Sequence, residues 1–77
     1  MTVPVQLYWD DAEEIALVLA DKFPEVNPLE VRFTDLHMWI TQLPMFVDDA
    51  TKSSEGKLEA IQMAWYEEWQ DRQKEVS

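Results

Sequence analysis

The sequence contains no cysteine, one glycine and one histidine, and lysine and arginine together account for 6 of its 77 residues. Without cysteine, no disulfide can stabilise the chain, and no thiolate can hold zinc or an iron–sulfur cluster. No apolar run is long enough to span a bilayer, and no cationic segment precedes an apolar stretch as it does in a signal peptide. We therefore expect a soluble cytoplasmic protein without a leader segment.

Acidic residues, by contrast, are abundant: 16 Asp and Glu give a formal net charge of -10. A charge of this sign repels the phosphate backbone of nucleic acids and favours a basic protein surface or a metal cation as partner. Solubility alone explains the composition equally well. Nucleic-acid binding is therefore not expected, while a protein partner, a cation and a merely solvated surface remain open.

The length allows one domain, 1–77, which we expect to be a monomer. A chain this short buries only about 60% of its unfolded surface, so its core is small. Four Trp and three Phe offset this limit, because each aromatic ring buries about 150–250 Å². Packing of aromatic side chains is therefore the expected source of stability.

The segment from Asp10 to Pro24 has the pattern of an amphipathic helix. Asp10 is a good N-cap, and Glu13 stands three residues later, in the capping-box position. Pro24 ends the helix, because proline cannot continue one. The apolar positions of this segment, at helical spacing, are Ala12, Ile15, Ala16, Leu19 and Phe23.

Two more helices and a short helical turn are predicted further along the chain. Asn27 and Pro28 have the residue types that begin the turn. Thr34 is the predicted N-cap of a helix over 35–43, and Ser53 or Ser54 that of a helix ending near residue 73. Residues 1–8 are predicted to form an N-terminal arm and residues 74–77 a frayed tail. The apolar stripes of the two helices are Leu36, Trp39, Ile40 and Leu43, and Leu58, Ile61, Trp65 and Trp69.

The fold class that follows is all-α, a small domain of three to four helices. A tight connection between the two middle elements indicates a helix-turn-helix arrangement. A helix that reads DNA needs arginine, lysine or amide side chains aimed at bases and phosphates, and the 35–43 helix contains no Lys or Arg. The arrangement is therefore not expected to bind DNA.

Acidic side chains follow one another on neighbouring helical turns. Asp10 and Asp11 stand four and three residues before Glu14, and Glu67 stands four before Asp71. Like charges at these spacings cost a few tenths of a kcal/mol per pair, so the pattern works against local stability. A solvated face, a docking face for a basic protein and a weak metal site all remain compatible with it. The candidate metal ligands are Asp10, Asp11, Glu14, Asp48 and Asp49.

The stretch VRFTDLHMW contains the single histidine, His37, beside the apolar stripe of its helix. With no cysteine and no nearby serine, His37 cannot belong to a nucleophile–base set, so we expect no enzyme and a partly exposed histidine. Arg32 and Asp35, three residues apart, favour a local salt bridge or a dipole contact. A polar contact of Arg32 and Asp35 with a partner is the alternative.

The residues of LYWDDAEEIALVLADKFPEVNPLEVRFTDLHMWITQLPMF and LEAIQMAWYEE resemble those of the IscX family, also called YfhJ. The resemblance implies a winged-helix-like fold and an acidic adaptor or regulator of iron–sulfur cluster assembly. It implies binding to the cysteine desulfurase IscS and weak binding of Fe(II). A frataxin-like iron donor or iron sensor that uses surface carboxylates is the alternative.

The acidic positions of the IscX family correspond to a defined set in this chain. Those positions are Asp10, Glu14, Glu25, Asp35, Asp48, Asp49, Glu59 and Glu67. Together with outward-facing neighbours, they give the predicted partner-binding residues Glu14, Glu25, Arg32, Asp35, His37, Glu59, Glu67 and Glu68. Pro44 stands where the family typically has an acid, which weakens the acidic patch around the following loop.

Overall fold

The computed structural model describes residues 6–76, and the last two of these by backbone alone. Residues 1–5 of the predicted arm and Ser77 of the predicted tail lie outside the described residues. The regular elements are α1 (Ala12–Lys22), a 3₁₀ turn (Pro28–Glu30), α2 (Phe33–Thr41), a second 3₁₀ turn (Ala50–Lys52) and α3 (Glu55–Val76). The all-α prediction is confirmed.

Two helices begin at other residues than predicted. The residue before α1 is Asp11 rather than Asp10, and no side chain caps this helix. The Asp11 carboxylate instead accepts a hydrogen bond from the backbone N–H of Tyr8 at 3.0 Å. Helix α2 begins at Phe33, so Thr34 lies inside the helix and is not its N-cap. Because α2 starts earlier, Phe33 packs against the hydrophobic core. The free energy gained by burying its ring exceeds that of a cap by Thr34.

The other two predicted caps are present. Asn27 Oδ1 accepts a hydrogen bond from the backbone N–H of Leu29 at 3.0 Å, and Pro28 occupies the first position of the 3₁₀ turn. Ser54 Oγ accepts one from the backbone N–H of Lys57 at 3.2 Å, at the start of α3. In both places a short polar side chain satisfies a backbone donor that has no partner inside the helix.

The core contains most residues of the three predicted stripes, Ala20 of α1 and two residues from the N-terminal segment. Leu7 is 1% exposed and Trp9 is 2% exposed. Leu7 forms an isolated parallel bridge with Phe46: its N–H donates to the carbonyl of Met45, and its carbonyl accepts from the N–H of Val47. Within residues 6–76 this bridge is the extended pairing that the structure records, so the winged-helix detail is not confirmed.

Helices α1 and α3 lie side by side and run in the same direction. Lys57 forms an ion pair with Asp10 at the start of both helices, and Arg72 forms one with Asp21 towards their other end. Helix α2 closes the core through Trp39, whose ring stacks on Phe23 with centroids 4.6 Å apart. The seam between α1 and α3 therefore runs along the surface of the molecule.

Candidate functional site

Arg72 joins the two helices at one end of the α1–α3 seam. Its Nη1 donates to the carboxylate of Asp21 on α1 at 2.6 Å, and its Nε donates to that of Glu68 on α3 at 2.9 Å. The hydrogen bond to Asp21 first, and then that to Glu68, raise the pKa of Arg72 above its ordinary value. A guanidinium is suited to this position, because its fixed fork of N–H donors reaches two carboxylates at once.

A cleft opens in the middle of the same seam. Its volume is about 280 Å³. Its lining residues are Glu13, Ala16, Leu17, Ala64, Glu67 and Glu68. Glu13 and Glu67 are exposed, and within residues 6–76 neither side chain has an ion pair or a hydrogen bond. The cleft therefore combines apolar side chains with two carboxylates that have no cationic partner in the described part of the chain.

The sequence pattern explains why these carboxylates differ from Glu68. Four residues after Glu68 stands Arg72, whereas four residues after Glu67 stands Asp71. Glu13 has Leu17 at the same spacing, and Leu17 is 46% exposed. Neither acid therefore has a cationic neighbour on its own helix face.

Two residues of the cleft, Glu13 and Leu17, are not among the partner-binding residues predicted from the sequence. Glu13 was assigned to a capping box, and Leu17 was given no role. The spacing of four between Glu13 and Leu17 places them on one helix face, but only the packing of α1 against α3 shows that the face meets Glu67. Among the other predicted partner-binding residues, Glu14 lies exposed on α1 and Glu59 lies exposed on α3.

The candidate metal ligands that precede α1 are engaged in bonds within the chain. Asp10 forms the ion pair with Lys57, and Asp11 accepts the N–H of Tyr8. In the part of the chain that the structure describes, no group of three or more His, Cys, Asp or Glu side chains could hold a metal ion. The structure therefore does not gather the candidate metal ligands into a binding group.

Of the other three candidate ligands, Glu14 lies exposed on α1, and Asp48 and Asp49 hold the loop between α2 and α3. Asp48 accepts backbone N–H groups from Trp9 at 3.0 Å and from Asp49 at 2.7 Å, and these bonds, Trp9 first, lower the pKa of Asp48. Asp49 accepts the backbone N–H and the hydroxyl of Thr51, which lowers the pKa of Asp49 in the same way. Both carboxylates thus have a structural role in this loop.

His37 also contributes to holding this loop. Its Nε2 donates to the backbone carbonyl of Ala50 at 2.8 Å, and its ring stacks on Trp9 with centroids 5.4 Å apart. The predicted salt bridge between Arg32 and Asp35 is absent, although both residues are described. Asp35 instead lies in the first turn of α2, where the helix dipole favours an acid.

The predicted partner-binding residues are distributed over several elements. Four of them belong to α1 and α3: Glu14, Glu59, Glu67 and Glu68. Arg32 precedes α2, which contains Asp35 and His37, and Glu25 is exposed in the segment after α1. Two exposed carboxylates without an ion pair among residues 6–76, Glu13 and Glu67, meet on the α1–α3 seam, so that seam is the strongest candidate for a docking surface.

The fold defines a small, acidic, all-helical domain. The sequence profile of a family described as iron-sulphur cluster assembly matches residues 7–70, and the chain belongs to this family, which is the IscX (YfhJ) family. An uncharacterized protein of Pseudomonas aeruginosa is 50% identical over 64 residues, which cover 83% of this chain and 97% of the relative. Across residues 6–76, no helix is long and apolar enough to cross a membrane.

Proposed function

We propose that this protein is an acidic adaptor that binds the cysteine desulfurase IscS and regulates iron–sulfur cluster assembly by binding, not by catalysis. Membership of the cluster-assembly family supports a role in that system. The observation that carries the proposal is the charge distribution. Of the 16 acidic residues, the ion pairs recorded among residues 6–76 engage Asp10, Asp21 and Glu68.

Charge complementarity is the mechanism of this proposal. A surface whose carboxylates lack cations attracts a basic surface from a distance and raises the rate of encounter. Once bound, a domain of this size covers part of the desulfurase and so changes the access of other partners. The proposal implies a monomer that works in the cytoplasm, and it assigns the chain no catalytic step.

The salt dependence of binding to purified IscS tests this mechanism. Because exposed charges are screened over about 10 Å at 0.1 M salt, affinity is expected to fall at least about tenfold between low and moderately high ionic strength. At low ionic strength, the variant Glu67→Lys is expected to bind IscS more weakly than the wild type. The variant Glu67→Gln is expected to weaken binding by a smaller factor than Glu67→Lys. Affinity that stays constant across the salt series would contradict the proposal.

Weak binding of Fe(II) is the second part of the proposal. Exposed carboxylates attract divalent cations, and a shallow surface holds them with little selectivity. A frataxin-like iron donor needs a group of ligands that retains the metal, and none is found in residues 6–76. The geometry therefore favours docking as the main role. An NMR titration with Fe(II), repeated in the presence of excess Mg(II), tests this, since broadening spread over the exposed carboxylates and relieved by Mg(II) is expected.

A further inference from the structure

We propose that the cleft in the middle of the α1–α3 seam receives one arginine side chain of the protein partner. This inference rests on the proposed function, because it assumes that a basic protein docks on this face. It adds the position, the chemistry and the number of cationic groups that the seam accepts. The guanidinium would lie between Glu13 of α1 and Glu67 of α3, with its carbon chain along Ala16, Leu17 and Ala64.

The first argument is an internal precedent in the same seam. Arg72 lies between a carboxylate of α1, Asp21, and a carboxylate of α3, Glu68. The cleft likewise places Glu13 of α1 near Glu67 of α3, beside the Glu68 that Arg72 engages, but no cation of the described chain pairs with Glu13 or Glu67. At the start of both helices Lys57 neutralises Asp10. An arginine from outside would complete a row of three cations along the seam.

The second argument is the size and lining of the cleft. With a volume of about 280 Å³, the cleft is at the small end of the roughly 300–1,000 Å³ of ligand sites and has room for one side chain. The side chains of Ala16 and Ala64 are small, and Leu17 is 46% exposed beside them. Such a surface packs against the three methylene groups of an arginine while the guanidinium meets the carboxylates.

Arginine fits this arrangement better than lysine. A guanidinium is a rigid plane whose N–H donors point in different directions, so it can bond two carboxylates that belong to different helices. A lysine ammonium is a compact point charge, and it holds its hydration more tightly. The occupant is therefore inferred to be an arginine.

The first experiment measures binding of purified IscS to the wild type and to Glu13→Gln, Glu67→Gln and the double variant. Glu30→Gln is the matched control, because Glu30 is exposed and lies outside the cleft. Each single cleft variant is expected to weaken binding about tenfold. The double variant is expected to weaken binding by less than the product of the two single effects, because both carboxylates contact the same guanidinium. The control is expected to weaken binding by less than about twofold. If the control weakens binding as much as the cleft variants, the arginine cleft is wrong while docking by charge stands.

The second experiment does not need the desulfurase. The ¹⁵N-labelled protein is titrated with Nα-acetyl-arginine methylamide and, in parallel, with the lysine analogue. Chemical-shift changes are expected at Leu17, Ala64 and Glu67, larger with the arginine compound and lost in the double variant. Equal changes with both compounds, or changes spread over all exposed carboxylates, would overturn the inference. Localised shifts without any binding of IscS would instead refute the proposed function and retain the cleft.

Discussion

The indole Nε1–H of Trp9 donates a hydrogen bond to the backbone carbonyl of Asp49 at 2.7 Å. The ring of His37 stacks on the indole ring of Trp9. The ring of Phe46 packs edge-on against the same indole, and the centroids of the Phe46 and Trp9 rings are 4.7 Å apart. Its backbone N–H donates to the carboxylate of Asp48. One buried tryptophan thus joins the segment before α1, helix α2 and the loop that leads into α3.

Replacement of this tryptophan by phenylalanine is expected to destabilise the protein by about 1–2 kcal/mol. The change removes a hydrogen bond worth about 1 kcal/mol and part of a buried ring. For a domain of this length, each kcal/mol corresponds to a fall in Tm of about 4–8 °C. Urea and thermal unfolding of Trp9→Phe, followed by far-UV circular dichroism, measure the loss. A loss below about 0.5 kcal/mol would mean that the bond to Asp49 contributes little.

Asp48 predicts a dependence of stability on pH. Its pKa is lowered in the folded protein, first by the N–H of Trp9 and then by that of Asp49. A lowered pKa contributes stability that is fully present above the unfolded-state pKa, about 3.9, and is lost as the pH falls through the folded-state pKa. Asp48→Asn is therefore expected to be less stable than the wild type at pH 7, with the difference shrinking below about pH 4.

Denaturant unfolding between pH 2 and pH 7 checks this expectation. Glu59→Gln is the matched control, because the Glu59 side chain is exposed and has no hydrogen bond or ion pair within residues 6–76. The control is expected to follow the wild type across the series. A difference between Asp48→Asn and the wild type that persists unchanged at pH 2 would contradict the role assigned to the carboxylate.

The first turn of α3 offers a pair of substitutions with opposite signs. A Cβ added at Gly56 would meet the hydroxyl of Ser54 at 4.0 Å as its nearest neighbour, and no glycine among residues 6–76 has a positive φ. Gly56→Ala is therefore expected to stabilise the protein by about 0.4–1 kcal/mol, through lower entropy of the unfolded chain. Ser54→Ala removes the cap on Lys57 and is expected to cost about 1 kcal/mol. Urea unfolding of both variants measures the two effects.

Helical spacing predicted the three helices well because each has a clear apolar stripe. Ile15, Leu36 and Trp65, one from each predicted stripe, are all fully buried in the structure. The starts of α1 and α2 were misplaced because several polar residues compete as caps there, and local sequence does not show which bonds the backbone forms. The carboxylate of Asp11 accepts the N–H of Tyr8 three residues earlier, the reach-back bond of a capping box placed two residues before the predicted one.

The candidate site was predicted only in part, because its two carboxylates come from distant parts of the chain. Glu67 was expected to face a partner, but Glu13 was not, and nothing in the sequence joins these positions. The same limit applies to Trp9, which had no predicted role and whose partners His37 and Asp49 lie in other elements. Local patterns reveal faces of helices, while contacts between faces depend on how the whole chain packs.

Trp69 provides a test in which the same substitution as at Trp9 is expected to have a different result. Its Nε1–H is buried and has no hydrogen-bond partner among the described residues, while its ring stacks on Tyr66 with centroids 6.1 Å apart. A buried donor without an acceptor costs about 1–3 kcal/mol, so its removal offsets the loss of ring area. Trp69→Phe is therefore expected to unfold within about 0.5 kcal/mol of the wild type, or at higher denaturant. If it loses as much stability as Trp9→Phe under the same conditions, the indole N–H at this position has an acceptor, and the contrast between the two tryptophans is wrong.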